Sequence, residues 1–412
     1  MKRPCTRYLT LAALCAAALA SSWLVSCESG CTGDPDGPAP PGRTVLAYMA
    51  SDNDLNAETS DKIAALCRGR AAARAGELLI YADTPQGARL LRALPDGTQQ
   101  TVAEYGAENS ASPAVLGRTL RETMNAFPAP GYGLVFFSHG SGWLPQGALQ
   151  SPGRTSSGTI GSRSMGRDES DEQTPHAEME LEEFASAIAD GSLDFIVFEA
   201  CLMAGAEVAY ALRDKAECML ASSAEILSPG FTLVYGSALK YLLDASAPAP
   251  ECLTAFGSAY MGHVATQTGV YRSATLSVVD LHEMEPLAAR MAELPTLSVR
   301  ESDITDDLQR FDRPGSYGDN PAVARYFDLE ECAQRLAGAG QTGALQEQLR
   351  RTVVWKDQTQ RFMVGDDGNY GRYNGFDITA HSGLTVYLPR AELETLNEAY
   401  RRTAWYRAVS GQ

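Results

Sequence analysis

Two short blocks of this sequence put reactive side chains where a buried strand runs out. In the first, Phe195-Ile196-Val197-Phe198 is followed by Glu199, Ala200 and Cys201, and then by a stretch in which Met203, Ala206, Ala209 and Tyr210 recur at helical spacing. An apolar run of this kind reads as a buried parallel strand, and it delivers the thiol to a helix N-terminus, where the dipole lowers a thiol pKa and makes a nucleophile. The alternative is one more buried small hydrophobe. In the second block, Gly133-Leu134-Val135-Phe136-Phe137 leads through Ser138 to His139, Gly140, Ser141, Gly142 and Trp143. A cysteine nucleophile needs a base for its proton and an oxyanion pocket for the charge developing on the attacked carbonyl. His139 supplies the base, and the backbone N–H groups of Gly140 and Cys201 supply the pocket, glycine allowing a carbonyl close to the backbone. The other four histidines, His176, His263, His282 and His381, lie in polar, helical or turn contexts. A satisfied core histidine is the alternative for His139.

The elements around these blocks alternate. Thr44 to Ala50 reads as a first strand. Ser51-Asp52-Asn53-Asp54 reads as a polar loop capping a helix from about Leu55 to Arg74, the alternative being that Asp52 and Asp54 fix the loop beside His139. Glu77 to Tyr81 and Ala88 to Leu94 form a second and third strand paired across the Asp83-to-Gly87 turn, and a helix follows from about Pro113 to Phe127. An acidic helix from Glu178 to Ala189 leads into the Cys201 strand, and Cys218 to Ser222 is a further strand. Strands separated by helices imply an α/β sandwich with a mainly parallel sheet, whose ligands bind outside the carboxyl ends of the strands. His139, Cys201 and Glu225 all fall there. Residues 43–245 are read as the catalytic domain. Residues 144–175, rich in Gly, Ser, Pro and charge, form a functional or processing loop within it. Residues 246–412 read as a helix-rich C-terminal half packed on the sheet, with helices near 250–266, 282–294, 322–339 and 343–352 and strands near 274–279, 377–380 and 382–389.

The first residues stand apart. Lys2, Arg3 and Arg7 precede an apolar stretch from Leu9 to Ala20 and then Leu24-Val25-Ser26-Cys27, a charged start, a short apolar region and a small residue before cysteine. Residues 1–26 are read as a signal peptide, with Cys27 in a bacterial lipobox becoming the lipidated first residue; an ordinary secretory signal is the alternative. Residues 27–42, rich in Gly and Pro, read as a tether. Loss of three basic residues with the signal takes the net charge from −17 to −20, which argues against nucleic acid as a partner. No CxxC pair or Cys/His spacing suggests a zinc site.

The blocks Val45 to Leu55, Phe137 to Trp143, Glu199 to Met203 with Glu207 to Leu212, and, more weakly, Gly383 to Pro389 resemble the clostripain-like cysteine peptidases of the caspase–legumain–gingipain clan. The resemblance implies a caspase-like α/β/α fold and endopeptidase activity on peptide or protein substrates, with Cys201 as nucleophile and His139 as base. The family usually carries Asp two residues before the cysteine, where this chain has Glu199, as legumain-like, Asn-preferring enzymes do. A carboxylate in the specificity pocket pairs with Arg or Lys by charge-assisted hydrogen bonds, so Glu199 and Glu225 are its candidate acids and cleavage after Arg or Lys the expectation. The resemblance also implies self-cleavage in the insert, with Arg154, Arg163 and Arg167 as candidates. No cofactor is required; calcium activation occurs in the family, but Asp366-Asp367-Gly368-Asn369 lacks a recognised calcium-loop pattern. Alternatives are an Asn-preferring or transpeptidating relative, or a non-catalytic surface lipoprotein that binds peptide or glycan in the same cleft. The expected location is a bacterial membrane, on the periplasmic or outer surface.

Overall fold

A computed structural model describes residues 41–145, 165–169, 177–294, 304, 308–313, 324–337, 342–368 and 375–411. Cys27, Arg154 and Arg163, with the signal and most of the tether and insert, lie outside these residues. Fifteen strands are described: β1 Thr44–Ala50, β2 Glu77–Asp83, β3 Ala88–Ala93, β4 Gln99–Gly106, β5 Tyr132–Phe137, β6 Met165–Asp168, β7 Ala177–Met179, β8 Leu193–Glu199, β9 Ala216–Ala221, β10 Thr275–Asp280, β11 Phe327–Asp328, β12 Val353–Gln358, β13 Arg361–Phe362, β14 Phe376–Asp377 and β15 Thr385–Val386. The helices are α1 Asn56–Ala72, α2 Pro113–Ala126, α3 Leu181–Ala187, α4 Ala206–Ala211, α5 Thr232–Leu243, α6 Ala249–Ala265, α7 Met284–Ala292, α8 Leu329–Ala337, α9 Gly343–Thr352, α10 Glu394–Arg401 and α11 Ala404–Ser410.

Nine strands form one sheet in the order β12-β10-β9-β8-β5-β1-β2-β3-β4. The middle five, β9 to β2, run parallel, and antiparallel strands flank them on both sides. Parallel strands linked by helices need cover on both faces, and β1 shows it. Val45, Ala47 and Met49 join a core with residues of α1, α5 and α6, whereas Leu46, Tyr48 and Ala50 join a second core with residues of α2, α3 and α7. Burying the aromatic stack of Tyr48, Tyr81 and Phe136 with Phe184 and Phe198 fixes the strand faces, because a one-residue slip would expose all of them.

The α/β sandwich with its mainly parallel sheet matches the expected architecture, and the β2–β3 pairing across the Asp83-to-Gly87 turn matches as well. Residues beyond 246 are woven into the same sheet through β10 and β12. The strand expected at 382–389 shortens to β15, which pairs with β11. Its loop braces the site: Thr385 N donates to Ala204 O at 2.8 Å, and Tyr387 N to the buried Glu207 carboxylate at 2.9 Å. Burial pushes that carboxyl up to about 7.

Candidate active site

The sheet register places the reactive residues. Phe137 of β5 pairs with Glu199 of β8, and His139 and Cys201 each lie two residues past that rung, on adjacent parallel strands spaced about 4.8 Å apart. The loops that carry them touch. A Cβ added at Gly140 would meet Cys201 O at 2.8 Å and Ala200 Cβ and Met203 Sδ at 3.0 Å, so the glycine is fixed by the approach of the cysteine turn. Leu202, next in the chain, takes a left-handed conformation with φ 63°, which few L-residues adopt, and its N–H donates to Ala224 O at 3.0 Å. A sharp turn therefore ends β8 and tips Cys201 to the sheet edge.

The neighbouring strands add a group on each side. On the β1 side, His139 Nε2 lies 2.7 Å from Asp54 Oδ1, and Arg167 Nη1 lies 3.6 Å from the same oxygen. Helix α1 begins at Asn56 after Leu55, without a side-chain cap; Asn53 Oδ1 takes the Leu55 N–H at 2.8 Å. Asp54 thus does what the weaker sequence reading allowed, because Asn53 closes the turn and frees the aspartate to face the imidazole. The pairing holds the Asp54 carboxyl below the ordinary carboxylate range, its hydrogen bond to His139 being the main cause.

On the β9 side, Cys201 Sγ accepts the Ile226 N–H at 3.4 Å. Glu225 is therefore flanked by two residues bonded to the cysteine turn, Ala224 and Ile226. Its carboxylate is held by a guanidinium fork, Arg313 Nε to Oε2 at 2.8 Å and Nη2 to Oε1 at 3.1 Å. In sheet order β9-β8-β5-β1, the groups run Glu225, Cys201, His139, Asp54. The thiol is pushed up to about 12, first by burial and then by the Glu225 charge, while the Ile226 N–H and Arg313 pull the other way. The expected thiol-lowering helix is not in place: α4 starts at Ala206, five residues past the cysteine, so its dipole is spent away from the sulfur.

Glu199 does not line an open pocket. It is 3% exposed and points into the core under α1 and α5. Its Oε1 accepts Lys62 Nζ at 2.5 Å and Phe231 N at 2.6 Å, and its Oε2 accepts Tyr235 OH at 2.6 Å. Strand alternation is the reason: Glu199 shares the face of Phe195 and Val197. Lys62 is itself buried, 4.3 Å from the Phe137 ring centroid. Sequence reading missed Lys62 because α1 offers no apolar period to mark its inward face.

Arg167 also departs from expectation. It lies in β6, 9% exposed, with its carbonyl accepting Asn53 Nδ2 at 2.8 Å and its N–H donating to Ser138 Oγ at 3.3 Å. Gly166 N donates to His139 O at 3.1 Å. The Arg167 backbone is thus tied down on both sides beside the His139 loop, unlike the open surroundings expected of a cleavage point. Among the described residues there is no cluster of three or more His, Cys, Asp or Glu that could hold a metal ion. No helix among them is long and apolar enough to cross a membrane.

Comparison with known proteins bears on the family and the fold. The Clostripain family model (Peptidase_C11) matches residues 47–409. The fold is similar to the X-ray structure of an inactive zymogen C11 protease from Parabacteroides distasonis, at 29% identity and TM-score 0.72, covering 90% of this chain and 99% of that one. Two structures of a secreted C11 cysteine protease from Bacteroides thetaiotaomicron share the fold: one, in complex with an irreversible peptide inhibitor, at 24% identity and TM-score 0.71, and one called iotapain at 22% and 0.71, each covering 90% of this chain and 99% of the other. No curated protein matches the chain.

Proposed function

The chain belongs to the clostripain family and is a cysteine peptidase, and from that premise we propose that it is an exported, membrane-anchored endopeptidase that cleaves after arginine or lysine through Cys201 and His139. The observation that carries the proposal is the line of Glu225, Cys201, His139 and Asp54 across four neighbouring strand ends. With Nε2 of His139 on Asp54, Nδ1 is the nitrogen left to take the thiol proton. The thiolate then attacks the scissile carbonyl, and the N–H groups of Gly140 and Cys201 hold the oxyanion. Collapse of the tetrahedral intermediate passes the proton from His139 to the leaving amine and leaves an acyl-enzyme, which water activated by His139 hydrolyses. Asp54 keeps the imidazole in one tautomer and stabilises its charged form.

Glu225 is the acid for the basic side chain of the substrate, since Glu199 is committed to Lys62. Leu24-Val25-Ser26-Cys27 supports export and lipidation at Cys27, and Arg154 and Arg163 are the remaining candidates for self-cleavage in the insert. The test is a panel of fluorogenic peptides ending in Arg, Lys or Asn, run beside selective thiol labelling. Turnover with Arg and Lys peptides, lost in Cys201→Ala together with the label, supports the reading. A folded and fully processed protein that neither cleaves nor labels at Cys201 is a binding protein instead. Mass spectrometry of the mature N-terminus decides the anchor: an unmodified residue at a cut other than Cys27 would remove it.

A further inference from the structure

The acid beside the nucleophile already has an arginine on it. Two of the three Arg313 side-chain nitrogens, Nε and Nη2, engage both Glu225 oxygens in the forked geometry that guanidinium makes with carboxylates, and the two side chains are only 17% and 16% exposed. The segment that presents Arg313 is anchored in the core. Phe311 is fully buried, its N–H donates to Tyr326 O at 2.8 Å, and its ring lies edge-on to His381 at 5.5 Å. Asp312 is buried and accepts Arg325 N at 3.0 Å. The backbone behind Arg313 is thus held, while its side chain reaches to the rim of the thiol site.

We propose that Arg313 is a specificity-determining residue, an internal cation on Glu225 that a substrate's arginine or lysine side chain must displace in order to bind. This rests on the reading of Cys201 as nucleophile and Glu225 as pocket acid. Two guanidinium groups cannot both make the full fork with one carboxylate, so the apparent affinity for a basic residue is reduced by the fraction of molecules in which Arg313 holds the acid. A neutral side chain does not bid for Glu225 and is not penalised. Arg313 therefore lowers the preference for basic residues below what a free carboxylate would give, and a variant without it leaves a largely buried charge whose best partner is the substrate.

The experiment uses the full chain and paired peptides that end in arginine or in citrulline, its uncharged isostere. Arg313→Ala and Arg313→Gln are each checked for folding by thermal melting. Both are expected to lower KM for the arginine peptide about tenfold and to leave KM for the citrulline peptide within about twofold. Glu225→Gln is expected to erase the difference between the peptides. An unchanged or raised KM for arginine in folded Arg313 variants overturns the proposal. Wild-type turnover that ignores the arginine–citrulline difference also overturns it, by removing Glu225 from the pocket, while leaving the peptidase reading intact. Turnover surviving in Cys201→Ala sinks that reading by itself, whatever the ratios show. A readout independent of turnover is alkylation of Cys201 by bromoethylamine against iodoacetamide: the rate ratio should rise about tenfold in both Arg313 variants, and a flat ratio counts against displacement.

Discussion

Two acid–base pairs sit on either side of the cysteine turn, and they differ in what surrounds them. Beneath the strand, the side chains of Glu199 and Lys62 are 2% and 1% exposed, and every donor around the carboxylate comes from the core. At the rim, Glu225 and Arg313 make a two-point fork but are 16% and 17% exposed, and the Glu225 charge is felt by the thiol. Sealed pairs hold a fold together, because neither partner can be replaced without stranding the other. A pair at a site edge can be exchanged. The lesson is one of direction: a carboxylate two residues before the cysteine is turned into the core by its strand, whereas one twenty-four residues on is brought back beside the thiol by the sheet.

Four measurements can break or sharpen that contrast. The largest effect belongs to the proposed nucleophile: Cys201→Ala should cost at least about 10⁴-fold in kcat at an unchanged melting temperature. Next is the floor. Lys62→Met should destabilise the protein by about 3–5 kcal/mol, read from the urea midpoint, because it leaves Glu199 buried and unpaired. A loss below about 1 kcal/mol would show that the floor pair is as exchangeable as the rim pair. Asp54→Asn should lower kcat about 10²-fold with little change in KM, as expected for a residue that orients the base. If KM alone rises, Asp54 contacts substrate. The smallest effect is a titration. Glu225 pushes the thiol up, so Glu225→Gln should move the pH profile of Cys201 alkylation toward lower pH, since the thiolate no longer faces that charge. Glu199→Gln should leave the profile in place, and a matching shift there would erase the distinction.

Much of this was legible in the sequence, for a physical reason. Buried parallel strands are continuous apolar runs, so Val45 to Ala50, Leu134 to Phe137 and Phe195 to Phe198 announce themselves, and the residues just past them, His139 and Cys201, follow from the rule that ligands sit at strand ends. What the sequence hid was direction. Glu199 reads as a pocket acid until strand alternation turns it to the core, and Asp54 reads as a cap until Asn53 closes the turn before an uncapped helix. Edge strands were also silent: β4 and β12 carry mostly exposed side chains, with no apolar alternation to mark them. Arg313 had no signal at all, because its place depends on Phe311 packing against His381, seventy residues away.

The hydrogen bond from Gly166 to His139 has a consequence for any molecule that is nicked. Strand β5, before residues 146–164, lies between β1 and β8 in the sheet, and β8 comes after them. A cut within 146–164 therefore severs the chain without separating the halves: five ladder pairs from Gly133↔Phe195 to Phe137↔Glu199, and the β6 tie behind the imidazole, still bridge the gap. Such a protein would run as two polypeptides under denaturation and as one particle in native solution, with His139 on one polypeptide and Cys201 on the other.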